Sequence, residues 1–502
     1  MKYLKRFDTE EEYQEYYEAE LAWGNDKRPN LSMIVAENKS IVNAKLPPFV
    51  RVKLSDGSYS SVTFENGIIP TRYFVSKQIS DIFIGEGITS ISDSAFTYCH
   101  ASSLTLSNTV ENIGYYAFAY NSVSSVVIPN SVVSIGNNSF RSGGLTSIVL
   151  GNKLERIGNE AFMYCSKLTS IEIPDSVTSI GNETFAFCNQ LSSVTFGNGI
   201  TILPWRLFYQ CYNLKHIHIT SSITTINVPM FQQCNVSAIT VDEANPIYDS
   251  RNNCNAIIET ATNKLIRGCT NTIVPSNITE YGECAFFGSC SVEQLTIPSS
   301  VTKLGSQCFS DNPIKSVVMH NDVSKIGSSC FANNSSLTSV TLSEVLTQIP
   351  SNCFESCYNL SSITIPTSVV ELGGFKGCYK LSSIDGLDNV KTVLAGAFSG
   401  CSAITSIELP SVETINSFAF TNCKYLRQVV VGSNLSYIDI CAFENCTNLS
   451  SFKCYATSPP RLANAYVFDG DTRLKVYVPS SALEDYQRDT YWKRYALGPI
   501  EE

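Results

Sequence analysis

Apolar and polar positions along this chain repeat with a period near 22 residues rather than at a single helical or strand spacing. Two neighbouring stretches show the unit: LTSIVLGNKLERIGNEAFMYC (145–165) and LTSIEIPDSVTSIGNETFAFC (168–188). Their shared pattern is L-x-x-I-x-I-P-x-S-V-x-x-I-G-x-x-A-F-x-x-C. Its anchor phenylalanines are Phe74, Phe96, Phe118, Phe140, Phe162, Phe185, Phe208 and Phe231, then Phe286, Phe309, Phe331, Phe354, Phe375, Phe398, Phe420, Phe443 and Phe468. Successive anchors lie 21 to 25 residues apart, except for one gap of 55. In almost every copy an apolar residue precedes the anchor by five, as Ile180 precedes Phe185.

Each copy holds one short alternating run, such as Ile171-Glu172-Ile173, which predicts a strand with its two isoleucines on one face. The prolines that follow (Pro129, Pro174, Pro298, Pro366, Pro410) end strand pairing and turn the chain. A unit this small cannot bury its own apolar side chains, but stacked units can. Each strand then joins a parallel sheet at about 4.8 Å per coil. The pattern predicts a repeat solenoid of about 17 coils, on the order of 80 Å long, with Leu, Ile, Val, Phe and Cys pointing inward.

The unit resembles the BspA-like leucine-rich repeat, a variant of the general L-x-x-L-x-L pattern, over roughly residues 60–480. The segment 242–275 is similar to the modified repeat found inside such arrays, and 454–495 to their closing segment. The resemblance implies a right-handed leucine-rich-repeat solenoid with one parallel strand per coil. It also implies a surface-displayed, adhesin-like protein of gut or oral bacteria or of mucosal parasites, binding host matrix proteins or other cells. The family brings no catalytic motif, so no catalytic residue transfers from it.

Five segments follow: an acidic N-terminal helix and linker at 1–46, N-terminal repeats at 47–241, an atypical repeat with a hairpin at 242–275, C-terminal repeats at 276–455, and a capping segment at 456–502. Solenoid ends need covers, because an open terminal strand invites edge pairing. Residues 8–23 read as a helix capped by Asp8 or Thr9, with Tyr13, Tyr16, Tyr17 and Leu21 along one stripe. That helix either caps the array or docks on a partner. Residues 49–64 read as a hairpin around Asp56-Gly57, and Ala256–Thr260 with Lys264–Gly268 as a second hairpin, projecting from the rod or replacing a coil. Residues 480–496, with Trp492, read as a short closing helix.

Charge changes the picture little. Charged residues are 16% of the chain, and the formal net charge is −10. Seven acids and no base lie in 8–20, so the remainder stands at −3 and the excess describes the N-terminal segment. A basic nucleic-acid surface is not expected. No apolar run is long enough for a membrane-spanning helix. The start MKYLKRFDTEEEYQ lacks the apolar stretch of a secretory signal and turns acidic at once. Three settings therefore stand: an adhesin whose signal is removed or whose export is unconventional, a virion- or tail-associated protein of a bacterial virus, and an intracellular scaffold.

Nineteen cysteines would suggest disulfides in a small secreted protein. Ten of them instead lie three residues after an anchor, from Cys99 to Cys446, and Cys308, Cys330 and Cys353 lie just before one. These are small apolar slots, so reduced core thiols are expected. Cys254 and Cys269, flanking the second hairpin, are the disulfide candidates. No C-x-x-C pair, metalloprotease, Walker or nucleophile-elbow motif occurs. No metal, cofactor or catalytic site is expected, and the chain reads as a non-catalytic binder of a protein or glycan.

The candidate binding surface is the outward position between the two strand apolars. It carries Glu172, Thr195, His218, Thr240, Thr296, Thr341 and Thr364, with His216 beside it on the same face. Two residues earlier the position is mostly Ser, as at Ser170, Ser193, Ser316, Ser339 and Ser362. Such short or branched side chains lose little entropy when a ligand orders them. His216 and His218 also suggest a two-histidine metal site, although no carboxylate column accompanies them. The aromatic group Phe187, Trp205, Tyr209 and Tyr212 lies at the anchor turn and reads as packing.

Overall fold

Each repeat forms two short strands rather than one, because two apolar residues in every copy are held inward by separate turns. The computed structural model describes residues 48–470 and 473–500, and before them the short strands Met33–Ile34 and Ile41–Val42. The predicted helix at 8–23 lies outside the described residues. The chain forms two compact units: residues 1–235 with 241–246, and residues 236–240 with 247–502.

In the first unit the predicted strand is present in every coil. Ser170–Ile173 pairs in parallel with Ser193–Phe196, bringing Ile171 opposite Val194 and Glu172 opposite Thr195. A second, two-residue strand follows the next turn. Six of these, from Ile68–Ile69 to Ser179–Ile180, stack into one parallel sheet. Each contributes one buried residue, such as Ile113, Ile135 and Ile157. The predicted hairpin is Phe49–Leu54 with Tyr59–Thr63, and Asp56 Oδ1 accepts the Ser58 N–H in its turn. Phe49–Leu54 also pairs antiparallel with Ile79–Ile84, the first coil strand, and so covers what would be an open sheet edge.

The anchors form a column of rings. From Phe74 to Phe208 each is stacked on the next, with centroids 4.7 to 5.8 Å apart. That spacing is close to the coil rise, so each ring contacts one neighbour above and one below. The turn around each anchor is a coil-to-coil ladder. Glu183, Phe185 and Phe187 donate their N–H groups to Trp205, Leu207 and Tyr209 of the next coil. Glu183 and Phe187 both have positive φ, 55° and 62°. The alternation lets successive odd residues donate in the same direction.

The second unit repeats this construction. Its ring column runs from Phe286 to Phe468, stacked at 5.0 to 5.6 Å. All seventeen anchors of the chain are buried. The second hairpin is Ala256–Glu259 with Lys264–Gly268. It does not project: Lys264–Gly268 pairs in parallel with Glu280–Tyr281 and becomes part of the second sheet. At the C-terminal end, Leu483–Arg488 is a six-residue helix between two short 3-10 turns. Trp492 is fully buried and donates its indole N–H to the Pro460 carbonyl at 2.7 Å. A final strand, Ala496–Pro499, adds to Lys475–Val478 and is a feature that the sequence pattern did not indicate.

All nineteen cysteines are free thiols, and all but Cys290 and Cys441 are buried. The proposed Cys254–Cys269 bridge is not formed: Cys269 Sγ donates to the Asn255 carbonyl at 3.3 Å, and Cys254 Sγ lies 3.7 Å from Ser250 Oγ.

Candidate functional site

The outward face of the longer strands carries the candidate residues, and strand alternation puts them there. In the first unit Glu172, Thr195, His216 and His218 are all exposed; Ile171, Ile173, Ile217 and Ile219 beside them are buried, as is Phe196 beside Thr195, while Val194 is half-buried. His216–Ile219 follows the same alternation, with Ile217 inward between the two histidines. In the second unit Thr240, Thr296, Thr341 and Thr364 are likewise exposed. Register aligns these side chains: Thr296, Val318 and Thr341 are opposite one another on successive coils, as are Thr364 and Asp385. The serine column stays in register beside them, Ser170 with Ser193 and Ser316 with Ser339.

A distinction within the hydroxyl residues was not visible in sequence. The column just before each strand staples coil to coil. Thr146 donates its hydroxyl to the Ser124 carbonyl at 2.9 Å, Ser192 to Thr169 at 3.1 Å, and Thr338 to Lys315 at 3.1 Å. These hydroxyls belong to the scaffold. The strand-centre column, with Thr195 and Thr341, is exposed as well.

No cluster of three or more His, Cys, Asp or Glu able to hold a metal ion occurs among the described residues. His216 and His218 are thus two exposed imidazoles on a sheet face. Burial suppresses the thiolate of the ladder cysteines: it pushes Cys165 and Cys378 up to about 12, and Cys188 and Cys308 are raised well above the ordinary thiol range for the same reason. Among the described residues no helix is long and apolar enough to cross a membrane.

The aromatic group divides. Phe187 and Tyr209 are half-buried and pack edge to face at 5.2 Å, and Phe187 stacks on Tyr164 at 4.4 Å. Trp205 and Tyr212 are exposed, which packing does not explain. The Arg206 guanidinium lies over the Trp205 ring at 4.1 Å and the Tyr209 ring at 4.8 Å. Tyr98, Tyr120, Tyr164 and Phe187 occupy one turn position and have φ near +60°, where bulky residues are uncommon. The second unit fills that position with Gly288, Asp311, Asn333, Ser356 and Asn422, which suit it better.

A family profile described as the BspA type leucine rich repeat region matches in six copies, over residues 67–144, 134–256, 263–374 and 369–494. Solved structures similar to the chain include three bacterial leucine-rich repeat or surface proteins. A leucine rich cell surface protein of Faecalibacterium prausnitzii is 24% identical, over 70% of this chain and 90% of its own, with a TM-score of 0.44. The pneumococcal vaccine antigen PcpA is 19% identical, over 84% and 95%, with a TM-score of 0.48. A leucine-rich repeat protein of Bacteroides ovatus is 22% identical, over 92% and 100%, with a TM-score of 0.39. No curated protein matches the chain.

Proposed function

The chain belongs to the BspA-type leucine-rich repeat family, and on that footing we propose that it is a surface-displayed, adhesin-like protein that binds a macromolecule without chemical turnover. One observation carries the reading. In both units a column of exposed Thr, Val and Ser side chains is held in coil-to-coil register by backbone pairing. Its entropy on binding is small, because the backbone beneath is fixed and the side chains are short or β-branched. A ligand or partner that spans several coils meets the same chemistry at each step, so weak contacts add. Glu172, Thr195, His216, His218, Thr240, Thr296, Thr341 and Thr364 are the proposed contact residues, and the ligand is a protein or glycan of a cell surface or matrix.

The test is location. Protease shaving of intact source cells, with proteomics of the released peptides, is expected to recover peptides of this chain. Recovery from the cytosolic fraction alone would refute surface display.

A further inference from the structure

The first unit contains a groove of about 750 Å³ that runs across six coils, along the second sheet. Its floor is the backbone at Gly114, Gly136, Gly158 and Gly181. A methyl group there would strike the preceding coil: a Cβ on Gly158 would lie 2.5 Å from the Asn137 nitrogen, and one on Gly181 2.3 Å from the Asn159 nitrogen. One wall is a column of polar residues on the two-residue strands, including Asn112, Ser134, Arg156 and Ser179. In the second unit the floor positions are Gly282, Gly305 and Gly327, then Pro350, Gly373 and Leu394, so side chains interrupt the channel.

The other wall is a ladder of side-chain oxygens, from the Asp93 carboxylate and the Asn137 and Asn159 amides, which Asn182 continues beside the last lining residue, Gly181. Asp93, Asn137, Asn159 and Asn182 lie three residues before their anchors, and each uses its Oδ1 to accept the N–H of the same position one coil on. The distances are 2.8 Å for Asp93 to Tyr115, 2.8 Å for Asn137 to Asn159, 2.8 Å for Asn159 to Asn182, and 3.1 Å for Asn182 to Trp205. With Oδ1 so engaged, each asparagine offers the groove its NH₂ group as a donor.

Two residues break the ladder. Tyr115 and Trp205 have no Oδ1 to pass on, and both are exposed, by 45% and 37%. Each forgoes a local structural rule that its neighbours follow, with no gain in burial to offset it. They stand four coils apart, about 19 Å at the strand spacing, with the three asparagines between them; Tyr115 lines the groove, and Trp205 stands one coil past its last lining residue, Gly181, beside Pro204, where the glycine floor ends. Tyr116 packs edge-on to Tyr115 at 4.3 Å, and Arg206 braces Trp205. The equivalent column of the second unit holds Glu283, Ser306, Ser328 and Ser351, with no aromatic residue.

We propose that this groove binds a linear, uncharged glycan, whose sugar rings stack on Tyr115 and Trp205 and whose hydroxyls bond the amides between them. The chemistry selects this class. Aromatic rings combined with a few fixed polar groups suit a ligand that is apolar on its ring faces and polar at its edges. The charged residues of the walls are Asp93 and Arg156; Arg156 lies 3.5 Å from Glu155, and Arg206 beside Trp205 lies 3.9 Å from Glu183, so no strong field awaits an anionic polymer. An extended peptide would need a free strand edge, but the interior strands here are paired on both sides, and the groove crosses them. The proposal rests on the reading of the chain as a binding protein and gives that reading a second site, away from the Thr and Ser face.

The test is calorimetric titration of the full chain with cellohexaose, chitohexaose, mannohexaose and xylohexaose. At least one is expected to bind, and Tyr115→Ala and Trp205→Ala are each expected to weaken it about tenfold. Tyr115→Asn separates binding from folding. It restores the amide ladder, so it is expected to melt no lower than the natural protein while losing affinity to the same degree as Tyr115→Ala. Lys303→Ala and Lys325→Ala, on the corresponding two-residue strands of the second unit, are expected to leave the affinity unchanged. Failure of all four hexasaccharides to bind at millimolar concentration overturns the groove assignment. So does binding that survives Tyr115→Ala and Trp205→Ala, or that falls with the second-unit variants instead. Surface location is read separately by shaving, so either reading can fail alone.

Discussion

Cys423 donates its thiol to the backbone carbonyl of Phe398, 3.1 Å away and one coil earlier. The same bond recurs from Cys165 to Phe140 at 3.2 Å, Cys211 to Phe185 at 3.1 Å and Cys401 to Phe375 at 3.0 Å. Where the repeat has Asn in this position, the amide replaces the thiol: Asn121 donates to Phe96, Asn312 to Phe286 and Asn334 to Phe309, all at 2.8 to 2.9 Å. The slot therefore asks for a donor as well as for a small side chain. The Phe398 carbonyl also accepts the Cys401 N–H at 2.9 Å, so loss of the thiol removes one of its two hydrogen bonds; such a bond contributes about 0.5–1.5 kcal/mol net, and the weakness of a thiol as donor places this case near the lower end.

Cys423→Ser is therefore expected to be more stable than Cys423→Ala, because serine keeps a donor for the Phe398 carbonyl. A purely apolar slot would give the opposite order, since alanine is the less polar residue. Urea unfolding of the two variants decides between them, with a difference of about 1 kcal/mol expected.

Buried thiols also make the protein sensitive to alkali. An unfolded cysteine ionises near pH 8.5, whereas burial pushes Cys99, Cys165 and Cys378 up to about 12. Between those values the unfolded chain has released protons that the folded chain retains. Stability is then fully present below about pH 8.5 and declines as pH rises toward 12, by about 1.4 kcal/mol per pH unit for each such thiol. The urea midpoint under reducing conditions is expected to be flat from pH 6 to 8 and to fall steeply above 9. A midpoint unchanged at pH 10.5 would contradict the burial of these groups.

The same burial predicts which thiols react. Cys290 and Cys441 are the two partly exposed cysteines. Brief treatment of the native protein with iodoacetamide is expected to label Cys441 and Cys290, and to label the ladder only after denaturation. Peptide mass spectrometry reads the result. Fast labelling of Cys188 or Cys401 in the native state would mean that the coils open far more readily than their packing implies.

What the sequence made legible was whatever has a period. Phe185 and Ile180 recur at fixed offsets because both face one continuous core, and both are buried. Glu172 and His218 were placed outward by alternation alone, and the structure agrees. The second strand of each coil was missed because two residues, such as Ser179–Ile180, leave no alternation to detect. The donor role of Cys423 was hidden because its acceptor is backbone, which every residue has. The Asn137, Asn159 and Asn182 ladder is hidden for the same reason: asparagine is common in turns of any kind, and the backbone partners lie 22 or 23 positions on. Tyr115 stands out only once the ladder that it breaks is seen. The final strand Ala496–Pro499 contains Gly498 and Pro499, which argue against a strand until Lys475–Val478 supplies an edge to pair with.

The anchor rings tie each coil to its neighbours, so a defect in one should remain local. Phe185 stacks between Phe162 at 5.6 Å and Phe208 at 5.8 Å and is fully buried. Phe185→Ala removes both stacks and leaves a cavity, at a cost of about 3–5 kcal/mol. In an array whose coils interact with nearest neighbours, the loss concentrates around the defect. Hydrogen exchange is expected to accelerate at the amides of Phe162, Phe185 and their ladder partners, with little change near Phe74. Uniform acceleration along the first unit would instead indicate a single cooperative block.

Trp492 closes the second unit, and its contribution separates into packing and one hydrogen bond. Its ring lies 5.4 Å from Tyr486 and 6.0 Å from both Phe452 and Phe468, under the last rings of the anchor column. Its indole N–H reaches the Pro460 carbonyl at 2.7 Å, and Tyr486 adds a hydroxyl bond to Ala456 at 3.0 Å. Trp492→Phe keeps most of the packing and loses the hydrogen bond, so about 1 kcal/mol is expected. Trp492→Ala loses both, at about 3–5 kcal/mol. Because the ring covers one end, the weaker variant is expected to fray from that end. Protection should fall first in Lys475–Val478 and Ser451–Cys454 and remain intact around Phe331. If protection falls equally at Phe331, Trp492 stabilises the whole unit rather than closing its end.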